Sequence, residues 1–159
     1  MKLINNASET EEIAKSIDST NGVYIVPAFT GLGAPYWDMN SRGIISGITR
    51  GTNSSHLVRA SLESIAYQVY DLFTAVQLDI GSKSNILQVD GGASQNNFLM
   101  QFQSDILNVK INRPENIETT ALGVALLAGL FVEFWSSPND FKNIVKTNKS
   151  FASSISSKN

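Results

Sequence analysis

The stretch Val89–Asn97, VDGGASQNN, sets two adjacent glycines, Gly91 and Gly92, and two amide side chains, Gln95 and Asn96, between an apolar segment, NILQV, and an amphipathic one, NNFLMQFQSDIL. Paired glycines at such a junction serve either a tight turn that needs backbone freedom or a bare backbone that a ligand can approach. Gln95 and Asn96 likewise read in two ways: as helix-start residues satisfied by water, or as hydrogen-bonding partners for a base or ribose. Taken alone the pair favours a plain turn, and the context raises the case for a ligand without deciding it. If NILQV is a parallel strand, the glycines lie at its C-terminal end, where open α/β sheets bind ligands, and the following helix turns its N-terminal amides toward the same crevice. A nucleotide phosphate or sugar is the natural guest. The familiar phosphate loops are nevertheless missing: no G-x-x-x-x-G-K-[ST] occurs, and DGGASQ does not fit G-x-G-x-x-G with an acid downstream, which disfavours a dinucleotide.

Other chemistry is sparsely represented. His56, the single histidine, falls in the first turn of a long helical pattern without a neighbouring Ser/Asp constellation, so a structural role is expected. Arg59 and Glu63 are spaced as an i, i+4 pair on that helix, most simply a solvated ion pair of little energetic weight. No two carboxylates form a convincing acid/base couple. With no cysteine and one histidine, thiolate and histidine-cluster metal sites are excluded. The net charge of −2 and the scattered Lys and Arg residues speak against nucleic acid or anionic membrane as a partner. The longest apolar run, Ala121 to Val132, falls short of the roughly 20 residues a bilayer needs and is closed by Glu133, so it reads as a buried helix without membrane insertion. The N-terminus lacks the basic start and long apolar stretch of a secretory signal, which is compatible with a cytoplasmic protein.

The elements that must position these residues follow from periodicity and punctuation. The 159 residues, 42% hydrophobic, suffice for one core. Ser8 or Thr10 caps a short helix carrying Ile13 and Ile17, and Asn21-Gly22 stops it. VYIVPAF is a strand that Pro27 confines to an edge or a strand end. A loop, TGLGAPYWD, then either packs on its own domain or anchors a partner through its aromatics. GIISGIT is a second short strand. From Ser54 or Ser55 to Ile80 runs the clearest helix, with Val58, Leu62, Ile65, Val69, Leu72, Phe73 and Val76 on one stripe and Gly81 as its stop. The strands ILQV and VKINR with the helix 96–107 between them make a βαβ unit, which forces a parallel pairing. Thr119 or Thr120 caps a last helix reaching about Trp135, whose Gly123 and Gly129 suggest close packing against another backbone. The Ser-rich tail has no periodicity. The chain thus divides into a leading helical segment (1–22), an α/β domain (23–136) and an irregular tail (137–159).

AFTGLGAPYWD, GIISGITRGTNSSHLVRASLESIAYQ, LQVDGGASQNNFLMQFQSDIL and TTALGVALLAGL together resemble the C-terminal half of the FGGY carbohydrate kinases, over about residues 21–135. The second segment matches that family's signature in spacing through Gly43, Gly47, Ile48, His56, Leu57, Ala60, Ser61, Leu62 and Glu63. FTGLGAPYWD points to the glycerol kinase branch. The resemblance implies a partial ribonuclease H-like/actin-like ATPase domain, α/β in class, whose initial strands are missing. It places the adenosine-binding motif on VDGGAS, with Gly92 approaching the nucleotide by its backbone, Asn96 contacting it by its side chain, and Gly91 supplying the turn.

By the same resemblance the cofactors are ATP and Mg²⁺, and the phosphate loop, catalytic aspartate and glycerol-binding side chains lie upstream, so no catalytic residue is assigned here. Glycerol is reached only through that upstream half. The family's final C-terminal helix is also missing, so the chain reads as a fragment. By itself it is expected not to phosphorylate glycerol and to bind ATP with a Kd of about 1 mM or weaker. With its family neighbour upstream, ILQV is expected to keep an exposed edge and promote self-association, hence a homo-oligomer. The alternative is a non-catalytic oligomerisation module using the GLGAPYWD loop and the long helix.

Overall fold

A reciprocal cap starts the helix on which the rest is arranged. The Asn53 side-chain oxygen accepts from the His56 amide at 3.2 Å, and His56 Nδ1 accepts from the Asn53 amide at 3.0 Å. The computed structural model describes residues 3–141 and 144–155. In it, α2 (Ser54–Ile80) runs from this cap to Gly81, which closes it at φ 69°, the left-handed turn that glycine adopts without cost. His56 is therefore structural, as expected, and the cap is Asn53, one residue before the serines. The first half of α2 buries Val58, Ala60, Leu62 and Ala66, whereas Leu72, Val76, Leu78 and Ile80 on its second half are exposed.

Before α2 come α1 (Thr10–Lys15), preceded by a 3-10 turn over Ala7–Glu9, and an antiparallel pair, β1 (Tyr24–Val26) and β2 (Ile44–Ser46). Pro27 follows β1 directly, so the missing donor falls outside the ladder. Gly47, at φ 80°, ends the pair where it crosses Gly22 so closely that a Cβ would fall on the Gly22 carbonyl. The loop after β1 carries Phe29, 86% exposed, and an exposed Trp37, while the Tyr36 hydroxyl donates to Asp71 on α2 at 2.8 Å.

After α2, β3 (Ile86–Gln88), α3 (Asn97–Leu107) and β4 (Lys110–Pro114) form the parallel βαβ unit, with Leu87 opposite Ile111. A fifth strand, β5 (Thr147–Phe151), pairs antiparallel with β4 and completes the order β3-β4-β5. This strand lies inside the stretch read from sequence as an irregular tail. TNKSF has one apolar residue and shows no alternation, yet Phe151 is only 4% exposed and joins Ala66, Leu99, Met100 and Ile111 in the core. Among the described residues β3 has a single strand neighbour, so the edge expected on ILQV is open, with Ile86 exposed.

Two further expectations are corrected. Arg59 and Glu63 are not a solvated pair: their side chains are 15% and 9% exposed, with Arg59 Nε donating to Glu63 at 2.8 Å. The reason is α1, which lies across α2, so that the same guanidinium donates to the carbonyls of Ala14 and Ile17 and stacks 5.0 Å from the Phe98 ring centroid. The apolar run of α4 (Thr119–Phe131) forms a helix as expected but has no buried residue. Val124 and Leu127 are exposed and Phe131 is 88% exposed, because no described element covers them. Gly123 meets open space, and Gly129 packs under the indole of Trp135 rather than against another backbone.

Candidate functional site

At the end of β3 the two glycines have different physical reasons. Gly91 sits at φ 75° and ψ 174°, donates its amide to the Ile117 carbonyl at 2.9 Å, and receives both the amide and the hydroxyl of Ser94 on its own carbonyl at 3.1 and 2.7 Å. This is the turn, and its backbone demands glycine. Gly92 opens the 3-10 turn Gly92–Gln95 without a left-handed φ, and a Cβ built on it meets nothing within 4 Å. Nothing in the fold requires glycine at 92. The space it leaves belongs to a cavity of about 530 Å³ whose apolar wall is Ala7, Leu62, Ile65, Ala93 and Leu99, within the size range of small-molecule sites.

The polar lining comes from two sequence-distant segments. Asn96 caps α3, its side-chain oxygen accepting from the Leu99 amide at 3.0 Å while Nδ2 donates to Thr10 Oγ1 at 3.1 Å. Glu11 accepts from the Asn97 amide at 2.7 Å and from the Asn97 side chain at 3.1 Å. Burial pushes the Glu11 carboxyl up, but hydrogen bonds from Lys15 and Asn97 outweigh it and hold the group below its ordinary value. A carboxylate therefore already sits on the first turn of α3. Of the two guests suggested by sequence, phosphate is disfavoured at this helix end, and a sugar or base suits a cavity that is mostly apolar.

The structure brings Gly92, Gln95 and Asn96 to one cavity and places Gly91 just behind it as the hinge of the turn. Sequence reasoning missed Thr10, which it read only as one of two possible caps of a short helix, as well as Glu11 and Arg113. The latter reaches from β4 to donate to the carbonyls of Ser94 and Gln95 at 2.8 and 3.2 Å, bracing the turn from below. The polar character of Thr10 and Glu11 in the first turn was a visible signal, but nothing local shows that α1 folds onto α3.

Residues 2–131 match the FGGY family of carbohydrate kinases, C-terminal domain. The glycerol kinase of Caldanaerobacter subterraneus subsp. tengcongensis is 59% identical over 142 residues, covering 89% of this chain and 29% of that protein. The glycerol kinase of Vibrio atlanticus is 56% identical over 151 residues, 95% of this chain and 30% of that protein. The chain thus spans about 30% of the length of the curated relatives it matches. Among solved structures, Plasmodium falciparum glycerol kinase with ADP superposes with a TM-score of 0.84 at 40% identity, over 97% of this chain and 31% of that one. A ligand-bound xylulose kinase from Lactobacillus acidophilus shares the fold, with a TM-score of 0.79 at 22% identity over 96% of this chain and 32% of that one.

Proposed function

Because the chain belongs to the FGGY family of carbohydrate kinases, as a partial C-terminal domain of the ribonuclease H-like/actin-like ATPase fold, we propose that it forms the nucleoside-binding wall of an ATP-dependent glycerol kinase. The reaction of the whole is glycerol and ATP to glycerol 3-phosphate and ADP. The observation that carries this reading is Gly92, a glycine that its own fold does not need, opening onto a cavity of ligand size. Relatives named glycerol kinase, and one solved with ADP, supply the chemistry of the guest.

In this reading Gly91 sets the turn, Gly92 lets the nucleotide lie against bare backbone, and Asn96 offers its amide to the base or ribose. Transfer of a phosphoryl group depends chiefly on positioning and charge stabilisation, and this chain contributes to the first by holding the nucleoside end of ATP. Mg²⁺ would serve the phosphates. Among the described residues no three His, Asp or Glu side chains gather as a metal site, so no step is assigned to them. Glycerol would be bound by parts of the kinase outside these residues. No helix of the described residues is long and apolar enough to cross a membrane, and a cytoplasmic setting is part of the proposal.

The test is a titration of ¹⁵N-labelled chain with ATP and Mg²⁺, beside a coupled assay for ADP release with glycerol present. Shifts centred on Gly91, Gly92 and Asn96 with a Kd of about 1 mM or weaker, and no turnover, are expected, since a half-site barely offsets the loss of translational freedom. Shifts elsewhere, or glycerol-dependent turnover by this chain, refute the assignment.

The open edge of β3 and the uncovered apolar residues of α4 favour a second role, self-association into a homo-oligomer. Light scattering at high concentration is expected to give a mass above 17.3 kDa; a monodisperse monomer rejects this role.

A further inference from the structure

We infer that Thr10 is a positioning residue for the nucleotide: by fixing the amide of Asn96 it leaves that side chain a donor, so the ligand atom that Asn96 meets is a hydrogen-bond acceptor. The inference rests on the nucleotide reading of the cavity. Thr10 Oγ1 donates its only proton to the Ala7 carbonyl at 2.6 Å. Toward any other neighbour it can then only accept, and it accepts from Asn96 Nδ2 at 3.1 Å across 86 residues of sequence. At the other end of the amide, Asn96 Oδ1 accepts from the Leu99 N–H at 3.0 Å. Turning the amide over would set Nδ2 against a donor and Oδ1 against an oxygen with no proton left to give. Both ends are pinned by groups of fixed polarity.

Nδ2 carries a second hydrogen, and Asn96 lines the cavity. That hydrogen is the donor left for a ligand. On a nucleoside the acceptors of this kind are the ring nitrogens of the base and the ribose oxygens. Phosphate oxygens also accept, but the Glu11 carboxylate on the same helix end opposes them.

The experiment titrates the 159-residue chain with AMP by ¹⁵N NMR, in wild type, Thr10→Val and Thr10→Ser. Valine keeps the shape and removes the hydroxyl; serine keeps the hydroxyl. The expected result is a Kd raised about fivefold by Thr10→Val and restored by Thr10→Ser, the size of one neutral hydrogen bond. AMP bound equally by wild type and Thr10→Val overturns the role of Thr10 while leaving the site. A wild-type chain that does not bind AMP overturns the site and this inference together. Should Thr10→Val fail to fold, Asn96→Asp decides: aspartate still caps α3 but offers the ligand an acceptor, so loss of AMP binding is expected and retained binding refutes the donor assignment.

Discussion

Gly92→Val is expected to leave the fold standing and to weaken nucleotide binding by about tenfold or more. A Cβ at this position touches nothing within 4 Å, and the backbone is not left-handed, so the unfolding free energy should move by no more than about 0.5 kcal/mol. The branched side chain instead occupies the cavity, where overlap with a bound molecule costs about 1–3 kcal/mol, and about 1.4 kcal/mol is already a factor of ten in Kd. ATP titration of the chain measures the affinity, and thermal melting checks the fold. In a complete kinase carrying these residues the same change should raise the KM for ATP far more than that for glycerol. Equal changes in both KM values, or an unaltered affinity for ATP, would sink the assignment of Gly92.

Arg59→Ala should be the more damaging change to stability, at about 3–5 kcal/mol, because it strands the Glu63 carboxylate in a buried setting and removes at once the hydrogen bonds to the carbonyls of Ala14, in α1, and Ile17, just after it. For a chain of this size that is a fall in Tm of roughly 6–20 °C. Arg59→Lys keeps the charge but not the planar fork that serves Glu63, Ala14 and Ile17 together, so it should recover only part of the loss. Urea unfolding of the two variants gives the comparison. A loss below about 1 kcal/mol for Arg59→Ala would mean that the pair behaves as a surface ion pair after all.

What the sequence disclosed and what it withheld divide along one physical line. Features fixed by residues close in the chain were legible: the span of α2, the left-handed stop at Gly81, the strand end before Pro27, the βαβ unit and the turn at Gly91. Features fixed by what packs from elsewhere were not. The spacing of Arg59 and Glu63 says that they meet, but only the crossing of α1 decides that they meet out of water. A five-residue TNKSF becomes a strand because β4 offers it a partner and the core takes Phe151. The apolar pattern of α4 predicted burial, and the helix formed without anything described to bury it. That Gly91, Gly92 and Asn96 are neighbours was legible because they share one turn, whereas Thr10, Glu11 and Arg113 reach that turn from other segments.

The cavity wall supplied by α1 makes occupancy and local order one thermodynamic quantity. A helix of six residues has no stability of its own and exists only while docked, so its release and return form an equilibrium within the native state. A molecule in the cavity binds the docked form alone. By reciprocity, it raises the free energy of releasing α1 by as much as release lowers its affinity. In the proposed reading the backbone amides of Ile13 to Ser16, which close the hydrogen bonds of α1, become a gauge of occupancy: their hydrogen exchange is expected to slow as the cavity fills, although Gly91 and Gly92 lie far along the chain, beyond α2.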